Sequence, residues 1–154
     1  RSMPHKVSTV ALLDEVSTAV KVAGACNAVR LTADGRLEGD LFDGEGFVRG
    51  LRRKGLQLAG ASALVVGCGG VGSAIAASLA GAGVGSLRLF DLNATAAEGL
   101  AARLRRHHAG LTVSTGNRDP RGLDLVVNAT PLGMNEGDDL PLDVSLLSPD
   151  TFVG

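Results

Sequence analysis

The stretch Leu64-Val65-Val66-Gly67-Cys68-Gly69-Gly70-Val71-Gly72 has the residue types and spacing to hold a dinucleotide, and an acid, Asp91, closes the next apolar run. Gly67 permits a tight turn out of a strand. Gly69 lets the backbone approach a pyrophosphate that a Cβ would push away, and Gly72 lets the following helix pack close to the sheet. Gly70 and Val71 complete the turn, and the helix that follows aims free N–H groups and a partial positive charge at the phosphates. Asp91 stands 19 positions after Gly72, near the ~20 of dinucleotide-binding units. A carboxylate at that place accepts hydrogen bonds from a ribose 2′-OH and repels a 2′-phosphate. The segment Asp91-Leu92-Asn93-Ala94-Thr95 offers no cation that would answer such a phosphate, so NAD is expected over NADP, with Asn93 counted among the cofactor-binding residues.

A turn of this kind means little alone in a chain with 22 glycines, so the flanking elements decide. A strand-like run, Ala63 to Val66, precedes it. A small-residue helix, Ser73 to Ala80, follows and ends at Gly81, and a second strand, Ser86 to Phe90, delivers Asp91. An amphipathic helix near Ala94 to His108 then places Leu100 and Leu104 on one face. Leu111 to Ser114 reads as a third strand and Leu123 to Asn128 as a fourth, which makes at least half of a Rossmann-type sheet. The loop Asn128-Ala129-Thr130-Pro131-Leu132-Gly133-Met134 leaves the fourth strand at the edge where such folds bind ligands. Thr130 is placed against the cofactor there, with a loop cap as its competing role. Met134 is placed either beside the nicotinamide or in the core.

The upstream part differs in character. Val7 to Val22 has broadly helical apolar spacing, with Pro4 suited to a first turn. Cys26 to Leu31 and Arg36 to Phe42 flank Thr32-Ala33-Asp34-Gly35, a hairpin pattern. Gly46 to Arg53 reads as a linking helix ended by Lys54-Gly55. The expected division is therefore 1–58, part of an α/β substrate-binding and catalytic domain with its linking helix, and 59–154, a Rossmann-like NAD-binding domain incomplete at its C-terminal side.

The chain has 154 residues, a formal net charge of −1 and only 3% aromatic residues. The charge gives no reason to expect nucleic acid, and a core of Val, Leu and Ala suits a parallel sheet flanked by helices. No apolar stretch reaches the ~18 residues of a membrane span, and the first residues carry no apolar leader-like run. Cys26 and Cys68 stand apart, one inside the phosphate turn, so a reducing, cytoplasmic setting is expected. His5, His107 and His108 lack zinc-ligand spacing; His107 and His108 read as solvated cations at a helix C-terminus.

Four segments together resemble the shikimate/quinate dehydrogenase family, in order and at plausible spacing: Ser2-Met3-Pro4-His5-Lys6, Gly24-Ala25-Cys26-Asn27-Ala28-Val29, Asp43-Gly44-Glu45-Gly46-Phe47, and the glycine turn with Asn128 to Met134. The resemblance implies hydride transfer between a nicotinamide cofactor and a ring hydroxyl of shikimate, quinate or a related cyclic polyhydroxy acid, in aromatic amino acid biosynthesis. It gives Lys6 and Asp43 the acid–base role and makes Ser2 and Asn27 substrate-binding. Family members run to roughly 270 residues, so the chain resembles the middle of a longer enzyme. A homodimer is left open.

The residues admit plainer roles as well. A lysine at a helix start is commonly solvated, although a cation there opposes the helix dipole and so points to use. Asp43 before a helix is a common N-cap, and Asn27 could satisfy a turn. An NAD-binding module without turnover, serving regulation or assembly, is the alternative function. A third reading is another lysine-using two-domain dehydrogenase, such as the methylenetetrahydrofolate type, against which Asp43-Gly44-Glu45-Gly46-Phe47 argues. The main departure from the family is Leu41-Phe42, where Asn-Thr is usual. A polyol site that loses hydrogen-bonding groups loses discrimination, so a relative of shikimate is expected as substrate, and restoring Asn-Thr is expected to improve turnover of shikimate itself.

Overall fold

The computed structural model describes residues 5–154; Ser2 and Pro4 lie outside the described residues. The glycine turn follows β4 (Ser62–Val66), the middle strand of a five-stranded sheet. Its neighbours are β5 (Ser86–Phe90), β6 (Thr112–Thr115), β7 (Leu125–Asn128) and β8 (Phe152–Val153), in the order β6-β5-β4-β7-β8, all parallel. Four of the five β4 residues are buried, as expected for an apolar run covered on both faces of a parallel sheet.

Helix α3 (Gly70–Gly81) leaves the turn and buries Ala74, Ile75, Ala76, Ala77, Leu79 and Ala80. A helix apolar nearly all round must be covered on several sides. One side meets the sheet, and the others meet α1 (Thr18–Ala23) and α2 (Asp43–Arg53). Helix α4 (Ala94–His107) lays Ala97, Leu100, Ala101 and Leu104 into the same core. The opposite sheet face is closed by Leu64, Val66, Val126 and Leu142, with Phe90, Leu123 and Leu147 packed against them.

The upstream part forms a three-stranded sheet ordered β1-β3-β2, from β1 (Glu15–Val16), β2 (Ala28–Leu31) and β3 (Leu37–Asp40). Strands β2 and β3 are the expected antiparallel hairpin, and the linking helix begins at Asp43 rather than Gly46.

The single helix expected over Val7 to Val22 is replaced by three pieces: a 3₁₀ turn (Ser8–Leu12), then β1, then α1. Tertiary pairing overrides the periodicity. The Asp14 carboxylate accepts the Leu37 N–H at 2.7 Å, and Glu15 and Val16 pair in parallel with Glu38 and Gly39. The Ser17 hydroxyl then caps α1 by accepting the Val20 N–H, and Gly24 ends it at φ +70°.

Candidate active site

Three upstream side chains converge at the start of α2. The Lys6 ammonium donates to Asp43 Oδ2, and the Asn27 amide nitrogen donates to Asp43 Oδ1 at 2.6 Å. The Lys6 side chain is only 14% exposed, whereas Asp43 keeps 35% of its side chain open. The backbone fixes this arrangement: the Lys6 carbonyl accepts the Cys26 N–H at 2.9 Å, and Asn27 N–H donates to the Asp40 carbonyl at 3.0 Å. Main-chain bonds thus tie residue 6 to residue 26 and residue 27 to residue 40, close to where the three side chains meet.

Two local arguments change here. Lys6 precedes a short 3₁₀ turn, so its own segment supplies no α-helix dipole; what holds the ammonium is the Asp43 carboxylate. Asp43 does not cap α2 either. The N-cap position is Phe42, without a side-chain cap, and Asp43 is the first helical residue. Its carboxylate sits at the favourable, positive end of the helix and is free to engage Lys6 and Asn27. A carboxylate gripping an ammonium and an amide, open to one side, can orient an alcohol and exchange its proton.

The glycine turn forms the second half. Gly67 has φ +97°, and a Cβ on it would lie 2.9 Å from Thr130 Cγ2 and from the Ala129 carbonyl. A Cβ on Gly72 would lie 2.8 Å from the Gly67 carbonyl carbon and meet its oxygen more closely still. Gly69 and Gly70 instead face open space, and Val71 is half-exposed, so the outer rim of the turn is free for a ligand. Helix α3 has no side-chain cap at Gly69, which leaves its first N–H groups available to a phosphate. The cradle fits a pyrophosphate.

Asp91 reaches this turn directly: its Oδ2 accepts the Cys68 N–H at 2.6 Å and its Oδ1 the Asn93 N–H at 2.8 Å. It therefore braces the turn, and each oxygen keeps a further lone pair for a ribose hydroxyl. Asn93 uses its side-chain oxygen to cap α4, accepting from Thr95 and Ala96 N–H. Cys68 is buried behind the turn; burial, and then the Asp91 charge, push its thiol up to about 12.

Thr130 packs on Gly67 through its methyl and bonds Asn128 Oδ1 through its hydroxyl at 2.6 Å, so loop cap and turn contact coexist. Met134 is 80% exposed, which rules out the core role. The loop bearing it is held by Asp138, whose Oδ2 accepts the Gly133 and Asn135 N–H at 3.0 and 2.9 Å. That clasp went unread in the sequence, although Asn135-Glu136-Gly137-Asp138 carries turn chemistry. Leu41 is also not where the sequence comparison put it. It is buried against Val20, Ala23, Cys26 and Ala74, and only Phe42, half-exposed, borders the site. His108 is partly buried, and burial followed by His107 lowers its pKa.

A groove of about 580 Å³ lies on the small sheet between Glu15, Ser17, Arg30, Glu38 and Phe42, and its lining includes none of Lys6, Asn27 or Asp43. Among the described residues, no cluster of His, Cys, Asp or Glu could hold a metal ion, and no helix is long and apolar enough to cross a membrane.

The ThiF family model matches residues 48–102, the span from α2 to α4 that contains the glycine turn and Asp91. The shikimate dehydrogenase (NADP(+)) of Rubrobacter xylanophilus is 38% identical over 99% of this chain and 55% of its own length. The quinate dehydrogenase of Corynebacterium glutamicum in complex with NAD superimposes with a TM-score of 0.81 at 34% identity, over 97% of this chain and 55% of that one. The ligand-free 5-ketofructose reductase of Gluconobacter sp. strain CHM43 does so with a TM-score of 0.86 at 30% identity, over 99% and 56%. The chain spans about half the length of the curated relatives it matches. Over that half, with its Rossmann-type sheet and glycine turn, the chain is similar in sequence and fold to shikimate and quinate dehydrogenases.

Proposed function

We propose that the protein is a nicotinamide-dependent dehydrogenase acting on a ring hydroxyl of shikimate, quinate or a related cyclic polyhydroxy acid. Residues 1–58 supply the alcohol side and residues 59–154 the cofactor side. The observation that carries this reading is the partly buried Lys6 ammonium joined to Asp43 at the head of α2, a helix packed directly on the helix of the glycine turn.

Lys6 and Asp43 hold the reacting hydroxyl; Lys6, as the neutral amine after its ammonium has released a proton to solvent, takes the hydroxyl proton as the carbon–oxygen double bond forms, and Asp43 holds the ammonium that results. Asn27 keeps Asp43 oriented through its amide and contributes a polar edge to the substrate. Ser2 is assigned to the substrate as well. Gly67, Gly69, Gly70, Val71 and Gly72 receive the pyrophosphate, and Asp91, Asn93, Thr130 and Met134 border the rest of the dinucleotide. The bound nicotinamide supplies the acceptor for the hydride that leaves the same carbon.

Within the NAD(P) class, the preference is for NAD. The Asp91 carboxylate lies at the ribose end of the turn, and no cation follows it through Thr95; a 2′-phosphate would be repelled there. Free, buried Cys26 and Cys68 support a reducing compartment, the cytoplasm.

The test is reduction of NAD and of NADP by the protein with shikimate and with quinate, beside Lys6→Ala. Turnover with a lower KM for NAD, abolished in the variant, is the expected result. Undiminished activity of Lys6→Ala removes the acid–base assignment, and a clear preference for NADP overturns the role given to Asp91.

A further inference from the structure

We infer that Gly44 sets the distance across which the hydride moves, as a positioning residue that touches neither alcohol nor cofactor; this rests on the dehydrogenase reading above. Gly44 follows Asp43 in the first turn of α2 and is buried against α3. A Cβ built on it would lie 2.7 Å from the carbonyl carbon of Ala74, nearer still to that carbonyl oxygen, and against Ser78 Oγ. The first obstacle is helical backbone, which cannot rotate aside as a side chain can. Any side chain at 44 therefore drives the two helices apart at the end where Asp43 sits.

The other glycines of α2 show that this is particular to one position. Gly46 and Gly50 face open space, and glycine is unfavourable inside a helix. Only Gly44 has a steric requirement. Its partner Ala74 lies one turn inside α3, close behind the glycine turn, and the same Ala74 packs against Val20 and Leu41 of the upstream part. Within the packing of α1 and α2 on α3, the Gly44–Ala74 approach is thus a reference between the two halves of the site made by backbone, which has little compliance. Hydride transfer needs the reacting atoms about 3–3.5 Å apart, and a misplacement of ~1 Å costs on the order of 10²-fold in rate.

The experiment compares Gly44→Ala with Gly50→Ala on wild-type background, using whichever of shikimate or quinate the wild type oxidises. Gly44→Ala is expected to lower kcat about 10²-fold, to leave KM for NAD within about twofold, and to raise the primary deuterium isotope effect on kcat, because the hydride step becomes limiting; Gly50→Ala behaves as wild type. Should Gly44→Ala fail to fold, Ser78→Val thickens the same contact from α3 and is expected to give a smaller fall in kcat with the same rise in isotope effect. An active wild type whose variants keep kcat and isotope effect unchanged overturns the inference alone. A wild type that oxidises none of these alcohols with either cofactor overturns the dehydrogenase reading, and the inference with it.

Discussion

Asn27 grips Asp43 from the side opposite Lys6: its amide nitrogen donates to Asp43 Oδ1 at 2.6 Å while its own oxygen accepts the Phe42 N–H at 3.0 Å. One side chain thus fixes both the orientation of the carboxylate and the backbone entering α2. Loss of a hydrogen bond to a charged group costs about 1.5–3 kcal/mol, so Asn27→Ala is expected to slow turnover by roughly ten- to a hundredfold. Lys6→Ala, which removes the proton-transfer group itself, is expected to cost on the order of 10²–10⁴-fold. Steady-state kinetics beside a fluorescence titration of NAD checks both; cofactor affinity is expected to stay unchanged, since neither residue touches the glycine turn.

Asp91→Ala is expected to do more than relax the choice of cofactor. The carboxylate accepts the Cys68 N–H inside the turn and the Asn93 N–H ahead of α4, so its removal takes two bonds from the bracing of the turn. Charged hydrogen bonds of this kind are worth about 1.5–3 kcal/mol each at most. The expected outcome is a lowered Tm together with a smaller ratio of NADP to NAD KM. A variant that exchanges the cofactor preference at unchanged Tm would show that the bracing has no energetic weight.

The burial of Leu41 alters the test that the sequence comparison suggests. Leu41→Asn places an unpaired amide among Val20, Ala23, Cys26 and Ala74, and emptying such a leucine site alone costs about 2–5 kcal/mol. Phe42→Thr changes only the half-exposed neighbour of the site. We expect Phe42→Thr to raise kcat/KM for shikimate relative to quinate with little change in Tm, and Leu41→Asn to lower Tm sharply. Equal Tm values for the two variants would contradict the placement of Leu41.

The contrast between those two neighbours marks where the sequence was readable. The run Ser62 to Phe90 declares its strands and helix because each is written in local chemistry: an unbroken apolar strand, glycines at the turn, small residues in α3. Lys6, Asn27 and Asp43 were recognised through resemblance, and their convergence is a tertiary fact that no spacing encodes. Val7 to Val22 misled because apolar periodicity was satisfied while Asp14 and Ser17 spent their side chains on β3 and on capping α1. Leu41 misled because a resemblance in sequence does not say which way a side chain faces; it turns into the core.

Asp124 provides a pH-dependent tie between the starts of β4 and β7, in the middle of the large sheet. Its Oδ2 accepts the Ser62 N–H at 2.7 Å and the Ser62 hydroxyl at 2.8 Å, and these bonds hold its carboxyl below the ordinary range. A carboxyl depressed in the folded state contributes stability that is present above its unfolded value, about 3.9, and is lost as pH falls through the folded-state value. Asp124→Asn is expected to lower Tm at pH 7 and to have little effect near pH 2. A Tm difference that persists undiminished at pH 2 would assign the tie to packing instead.

Cys68 is expected to resist thiol reagents. Burial and the Asp91 charge keep it protonated to about pH 12, and the thiolate is the reactive form. Native protein at pH 8 should consume almost no aromatic disulfide reagent over minutes, and denatured protein should titrate both cysteines. Rapid labelling of one cysteine in the native state would place it outside the core.

The order of the large sheet also dictates a schedule. Strand β4 finds β5 soon after α3 forms, but its other edge waits for β7; the Ser62–Asp124 tie that closes that edge spans 62 residues. Until then Leu64 and Val66 border an unpaired apolar ladder, the kind of edge that pairs with the wrong chain. Contacts this distant in sequence form slowly. During synthesis the glycine turn is therefore built early onto a half-finished platform, and the yield of folded protein depends on how quickly Leu125–Asn128 arrives to close it.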